Sequence, residues 1–393
     1  MAELTDADEH ILDYCQKEVP YKIIPQLLAK YHNVEISYNA VKKRAKKLGI
    51  NKRGPGTTSE AEVIAALQDE LTSASSLVGY REMTSILRKK GLIVRRNTVM
   101  QLLRTLDPEG VEIRRRRRLK RKVYISPGPN YAWHVDGNDK LKPFGFAVHG
   151  AIDGYSRMIL WLNVAPSNKD PAIISYFYMQ TVAALHGCPS LLQTDPGVEN
   201  GIIAALQCTF RVNHEDELAG SKSHKYGKST TNQRIESWWS YYRRNRIDWW
   251  MDKFYELVRN QQFNKDNDTH VKCIRFCYMS LIQQELDDIK ERWNGHNILP
   301  SPNARCPNGR PNVLFHLPEN TGAEDHLKPI SPEAIRFGFT NTVQQTISGC
   351  PAFDDYASNI FRAKGWAEPA DFQEALHFYT ELRRLATNEL LDI

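Results

Sequence analysis

The sequence predicts an α/β core, a mixed sheet flanked by helices, between an all-α N-terminal region and a mainly helical C-terminal region. Three observations predict it. Apolar residues recur at helical spacing through the first 110 residues. Short apolar segments bounded by turn residues follow Ser126-Pro127-Gly128-Pro129. Helical patterns return from residue 268. A chain of 393 residues is too long for one ordinary core. The pattern divides it into helical units at 1–50 and 58–110, a basic linker at 111–125, a core at 126–318 and a C-terminal helical region at 319–393.

Composition narrows the classes. No apolar run approaches the ~18 residues of a membrane span, so no membrane partner is expected. The opening MAELTDADEH is acidic and does not read as a secretory signal. Seven scattered cysteines, an odd number, argue against a disulfide framework and for a reducing compartment. The net charge of +6 is uneven: residues 1–125 hold 25 Lys+Arg and 15 Asp+Glu, a net of +10, which leaves −4 for the remainder. Positive charge concentrated in one third of the chain points to a polyanion held there.

In the first unit, helices are expected over Glu9–Lys17, Ile23–Tyr31 and Tyr38–Leu48. Lys42, Lys43, Arg44, Lys46 and Lys47 crowd the third, as in a helix-turn-helix whose last helix enters the DNA major groove. The alternative is a small bundle with a solvated lysine face. After a Gly/Pro/Thr linker at 51–59, a second unit is expected over Glu60–Thr72, Tyr80–Lys90 and Arg96–Leu106. Its stretch GYREMTSILRKKGLIVRRNTVMQLLRTL resembles the second helix-turn-helix of bacterial insertion-sequence transposases, with Gly79, Arg81, Gly91, Val94 and Asn97 matching. Arg95 and Arg96 open its basic helix. Then comes RRRRRLKRK, eight basic residues in nine: Arg114, Arg115, Arg116, Arg117, Arg118, Lys120, Arg121 and Lys122. Such a run repels itself unless phosphate neutralises it. It suits DNA tracking and a nuclear-import signal alike, so the expected location is nuclear in a eukaryote and cytoplasmic otherwise.

The core reads as strands over Tyr131–Gly137, ending on Asp136, Phe144–Asp153 and Met158–Val164. A helix over Asp170–Leu185 follows, then a strand over Ser190–Asp195 and a short helix over Asn200–Gln207. A polar loop at Asn213–Ser229 leads to a helix from about Thr231 that carries Glu236. This order is that of the ribonuclease-H-like fold. WHVDG, GAIDGYSRMILW, QTDPGVEN and TNQRIESWWSYYRR resemble, in order, the four motifs of retroviral-type integrase cores, the DDE transposase and integrase superfamily. Pro196 departs from the small polar residue common after the second Asp.

The resemblance implies a catalytic triad of Asp136, Asp195 and Glu236 holding two Mg²⁺ ions, with Mn²⁺ as substitute, and Asp136 shared by both. The chemistry fits: phosphodiester transfer needs an activated oxygen nucleophile and a stabilised leaving oxygen, and hard carboxylate ligands suit Mg²⁺. Glu199 is a rival third ligand, Asp139 a rival first one, and Asp153 matches a structural turn position. Arg243, sharing the face of Glu236 together with Ser240, and Arg244 are assigned to phosphate contact. Trp238, Trp239, Tyr241, Tyr242, Trp249 and Trp250 suit base stacking or core packing, with at least half expected in a core or interface. The integrase zinc domain is absent, and His270, Cys273 and Cys277 fit a buried helix better than a metal site. ERWNGHNILPSPNARCPNGRPNVLFHLPE resembles the tail motif of these cores.

The function expected is a DNA transposase or integrase that cuts to a 3′-hydroxyl and joins it to target DNA. Its partners are double-stranded DNA and further copies of itself, with no small-molecule substrate. Two alternatives stand beside it: a domesticated DNA-binding descendant without strand transfer, and a nuclease of the same fold that only hydrolyses.

Overall fold

The computed structural model describes residues 6–17, 19–50, 58–73, 75, 78–115, 124–227, 232–300 and 305–389. They group into two compact units. The first comprises Met1–Ile125, Arg244–Trp249 and Glu291–Ala323; the second comprises Ser126–Arg243, Trp250–Lys290 and Glu324–Ile393.

The first unit opens with α1 (Asp6–Gln16), α2 (Ile24–His32) and α3 (Tyr38–Lys47). Ser37 caps α3 by accepting from the Ala40 N–H at 3.3 Å. Apolar side chains at helical spacing meet in one core: Ile11, Cys15, Ile24, Leu28, Val41 and Ala45, closed by Leu317 from the far end of the unit. A second trio follows: α4 (Glu60–Thr72), α5 (Tyr80–Lys89) and α6 (Arg96–Leu106). A capping box opens α4, where the Ser59 hydroxyl accepts from the Glu62 N–H and the Glu62 carboxylate from the Ser59 N–H. Val63, Leu67, Met83, Leu87, Val99 and Leu103 form its core. Both trios match the expected helices to within a few residues. The expected linker at 111–125 differs, since α7 (Pro108–Arg115) runs into it. Proline at the first helical position and Asp107, whose carboxylate accepts from the Gly110 N–H at 3.0 Å, start that helix.

The second unit is built on a five-stranded mixed sheet. Its elements begin with β1 (Ala132–Asn138), β2 (Ala147–Asp153), β3 (Ile159–Ala165), α8 (Pro171–Leu185), β4 (Gly187–Cys188), β5 (Leu191–Thr194) and α9 (Gly201–Phe210). β6 (His224–Tyr226), α10 (Gln233–Tyr242), α11 (Asp248–Arg259) and α12 (Asp268–Gly295) follow. The sheet order is β3-β2-β1-β5-β6. β1, β2 and β3 pair antiparallel, while β5 runs parallel to both β1 and β6. This is the ribonuclease-H-like arrangement, with helices on the sheet faces covering its near-continuous apolar strands. Three details differ from the sequence reading. β1 continues two residues past Asp136 to Asn138. Residues 142–144 form a 3₁₀ turn closed by Gly145 at φ +97°, so β2 starts only at Ala147. The polar loop at 213–229 contains β6, too short and polar to show strand alternation.

After α13 (Pro311–His316), the chain adds β7 (Lys328–Pro329), α14 (Pro332–Phe339), α15 (Pro351–Lys364) and α16 (Phe372–Glu389). The sequence reading set residues 319–393 apart as a C-terminal region. In the structure residues 324–389 belong to the same compact unit as the sheet. β7 pairs antiparallel with β4. Gln345 Nε2 donates to the Val164 carbonyl at 2.7 Å, closing an open position on the edge strand β3. Arg275 spreads its guanidinium over the carbonyls of Gly145, Ser348 and Pro166. Phe372 packs its ring on Trp250 and Tyr278.

Candidate active site

β1 and β5 set the first two carboxylates side by side. In their parallel register Trp133 faces Leu192 and His134 faces Gln193. Carried on by two residues, that register brings Asp136 opposite Asp195. Side chains opposed in a parallel pair leave the same face of the sheet. The first residue after β5 is thus where a second acid has to stand. α10 crosses this end of the sheet and carries Glu236 one turn from its start.

The electrostatics tie the three acids together. Asp136 is pushed up to about 7, first by burial and then by the charges of Asp195 and Glu236. Hydrogen bonds from Trp239 and Gly137 work against that rise. Glu236 is raised by burial and by Asp195. Asp195 is raised by burial and Glu199 against an opposing hydrogen bond from Asn232. A buried carboxylate raised by two acidic neighbours, as Asp136 is, stands in a site short of positive charge, and such oxygens are the hard donors that a divalent cation prefers. Among the described residues, no three His, Cys, Asp or Glu side chains stand as a ready metal-ligand group. The carboxylate oxygens of Asp136 instead accept from the Gly137 N–H at 2.8 Å and from the Trp239 indole N–H at 3.0 Å.

Asn232 and Trp239 hold this arrangement. Asn232 is fully buried. Its amide N–H donates to the Val135 carbonyl at 3.0 Å and reaches Asp195 Oδ1 at 3.4 Å. Its carbonyl oxygen must therefore accept, and His134 Nδ1 donates to it at 2.8 Å. Burial pushes His134 down to about 4, so the ring is neutral at physiological pH and that N–H stays in place. One side chain thus ties β1, the end of β5 and the start of α10. Trp239 lies across β2 at Gly150, which pairs with Asp136. A Cβ at Gly150 would stand 3.2 Å from the Trp239 ring, so the absence of a side chain there lets the indole reach Asp136. The sequence reading flagged Trp239 only as an aromatic and Asn232 only as a motif residue. Their bonds join residues 98 and 103 positions apart, which no local pattern reveals.

Removing the indole N–H should be felt at Asp136. Trp239→Phe is expected to raise the Asp136 carboxyl further, read as an upward shift of its titration profile by NMR. An unmoved profile would show that the indole only fills space.

The other sequence candidates sort themselves. Asp153 is fully buried, and its oxygens accept from the N–H groups of Asn130, Tyr155 and Ser156 and from the Ser156 hydroxyl. It is a turn-holding residue. Asp139 is exposed, paired with Lys142 at 2.7 Å and bonded to Asn168. Glu199 sits near Asp195, bonded to Asn200 Nδ2 at 3.1 Å. Arg243 and Arg244 are exposed, but α10 gives way to a π-helical turn over Arg243–Ile247. The α-helical spacing from Glu236 to Arg243 therefore ends where the turn widens. Trp238, Trp239, Tyr242 and Trp250 are buried and belong to the core. Cys273 and Cys277 are also buried, and burial pushes Cys273 up to about 12, away from the thiolate a metal needs.

The remaining basic candidates lie in the first unit. Lys42, Lys43, Lys46 and Lys47 are exposed on α3, and Arg44 pairs with Asp8 at 3.4 Å. Arg95 and Arg96 are exposed at the start of α6. Arg114 and Arg115 end α7. Arg116, Arg117, Arg118, Lys120, Arg121 and Lys122 lie outside the described residues, as does most of the linker at 51–59. Among the described residues no helix is long and apolar enough to cross a membrane.

Comparison with known families places residues 123–316 in the integrase core domain family. That span covers the sheet, the three carboxylates and all but the last three residues of the expected tail motif. No curated protein matches the chain. The matched family is one of transposases and integrases that bind DNA, and its domains generally use divalent metals.

Proposed function

Residues 123–316 form an integrase core domain, and on that premise we propose that the chain is a DNA strand-transfer enzyme. It frees a 3′-hydroxyl at an element end and joins it to target DNA. The observation that carries this reading is the gathering of three acids at one end of the sheet inside such a domain, where burial and the charge of Asp195 raise both Asp136 and Glu236. These three side chains are the ones to hold two Mg²⁺ ions, or Mn²⁺ in their place. Bound there, the ions supply an activated oxygen nucleophile and neutralise charge on the leaving oxygen. The chain's own residues do the rest. Asn232 fixes the end of β5 against β1, and Trp239 orients Asp136. Arg243 and Arg244 take phosphate contacts beyond α10, while the basic N-terminal helices hold the DNA. In joining, one phosphodiester bond forms as another breaks and the displaced 3′-oxygen takes up a proton, so no nucleotide cofactor is needed. Joining two ends calls for two such sites, hence a homo-oligomer.

A DNA-binding descendant without strand transfer is the second reading. It needs only the exposed lysines and arginines of α3 and α6 and not the three carboxylates. Incubating the full chain with labelled terminal DNA and a target plasmid separates the two. The strand-transfer reading expects joined product with Mg²⁺ or Mn²⁺ and none after chelation. DNA binding without product in either metal supports the descendant.

A further inference from the structure

The two N-terminal helical trios repeat one frame, which neither the family match nor the triad explains. After α2, Asn33 takes φ +53°; after α5, Gly91 takes φ +80°. Each left-handed residue stands five positions before the first residue of the next helix, Tyr38 of α3 or Arg96 of α6. The next residue donates back into the preceding helix in both, though to different depths: Val34 N–H to the Leu28 carbonyl six positions back and Leu92 N–H to the Leu87 carbonyl five back, at 3.1 and 2.9 Å. Offset by 58 positions (97 − 39), the sequences of α3 and α6 then align from their first residues. Val41 and Val99 fall together, as do Ala45 and Leu103, and all four are buried.

Opposite those buried pairs, at about 100° per residue, each helix carries an outward stripe. On α3 it is Asn39, Lys43 and Lys46; on α6 it is Asn97, Gln101 and Arg104. All six side chains are exposed. Among the described residues, none is hydrogen-bonded or ion-paired within the protein. Asparagine occurs at the same place in both frames, the second residue of the helix. Helix N-terminal residues are those that reach base edges in such units. An Asn or Gln amide matches the adenine edge and Arg matches guanine, whereas Lys is a flexible point charge suited to phosphate.

We infer that the two trios are tandem reading modules, in which Asn39 and Asn97 each contact an adenine in a separate half of the DNA site. Asn97, Gln101 and Arg104 carry more of the sequence discrimination than α3, whose lysines mainly hold phosphate. This rests on the reading that the N-terminal region binds DNA.

The test is selection of duplexes from a randomised pool by the full chain, repeated with exposed-residue variants. The wild type should enrich two spaced blocks, each with a fixed adenine. Asn97→Ala should lose the adenine of one block by at least about tenfold, and Asn39→Ala that of the other, each with affinity for random duplex kept within about threefold. Lys43→Ala should weaken binding to all duplexes and flatten its salt dependence without changing the motif. Binding with no enriched sequence, or a motif unchanged in both Asn variants, overturns the module assignment alone. A wild type that binds no duplex overturns the DNA-binding reading as well.

Discussion

Asp136→Asn, Asp195→Asn and Glu236→Gln should each lower DNA joining at least about a thousandfold while leaving DNA affinity within about twofold, because catalysis by paired cations depends on the charge of every carboxylate ligand. The same substitutions should act the other way on stability. The Asp136 carboxyl is raised to about 7 in the folded chain from an ordinary value of 3.8. The folded state then binds the proton more tightly than the unfolded one. Stability is therefore full below about pH 4 and falls as pH rises towards 7. At neutral pH the metal-free protein carries an ionisation cost of ~2–4 kcal/mol at this one group. Asp136→Asn removes that charge and keeps an oxygen for the Trp239 N–H. In chelator at pH 7.5 it should unfold several degrees above the wild type. Scanning calorimetry at pH 5 and pH 7.5 checks the sign, because the gain should shrink at the lower pH. A less active and less stable Asp136→Asn would mean that the carboxylate is structural.

A chain ended at Ala323 should fail to fold its catalytic unit, although it retains the whole family match. The missing segment buries Phe353, Phe378, Tyr379 and Leu382. At about 1.5–3 kcal/mol for each fully buried large side chain, their loss approaches 10 kcal/mol, the size of a typical domain's whole stability. It also removes β7 from β4, the Gln345 bond from the edge of β3 and the Tyr379 hydroxyl from the Gln262 carbonyl. The expected outcome is insoluble protein, or soluble protein without a cooperative unfolding transition. Soluble truncated protein with wild-type joining would show that the C-terminal helices are dispensable.

The truncation also marks where sequence reasoning stops. Helices α1 to α6 were legible because each shows one apolar stripe and clear start or stop signals, such as Ser59 with Glu62 or Gly91 after α5. The three long strands were legible from their apolar runs, and Asp136 and Asp195 from their place in those runs. β6 was not, because His224, Lys225 and Tyr226 earn their strand geometry only by pairing with β5. α7 was hidden by its charge, which reads as linker. The assignment of residues 324–389 to the core was hidden for a different reason. Their helical pattern shows that a face is buried but not against what, and the partners Trp250, Gln262 and Val164 lie more than 100 residues away. The supporting bonds of the candidate site fall in the same class. Asp136 was readable; the indole that holds it was not.

The central claim is that Asp136, Asp195 and Glu236 together form a divalent-cation site. Thermal unfolding of the full chain with and without saturating Mn²⁺ tests it most directly, with no need to know the DNA sequence. Binding to the folded state alone raises stability by about 2.7 kcal/mol at a hundred times Kd. The account predicts a rise in Tm of about 5 °C or more for the wild type and about 1 °C or less for Asp136→Asn. Equal rises in the two proteins, or none in the wild type, would contradict it.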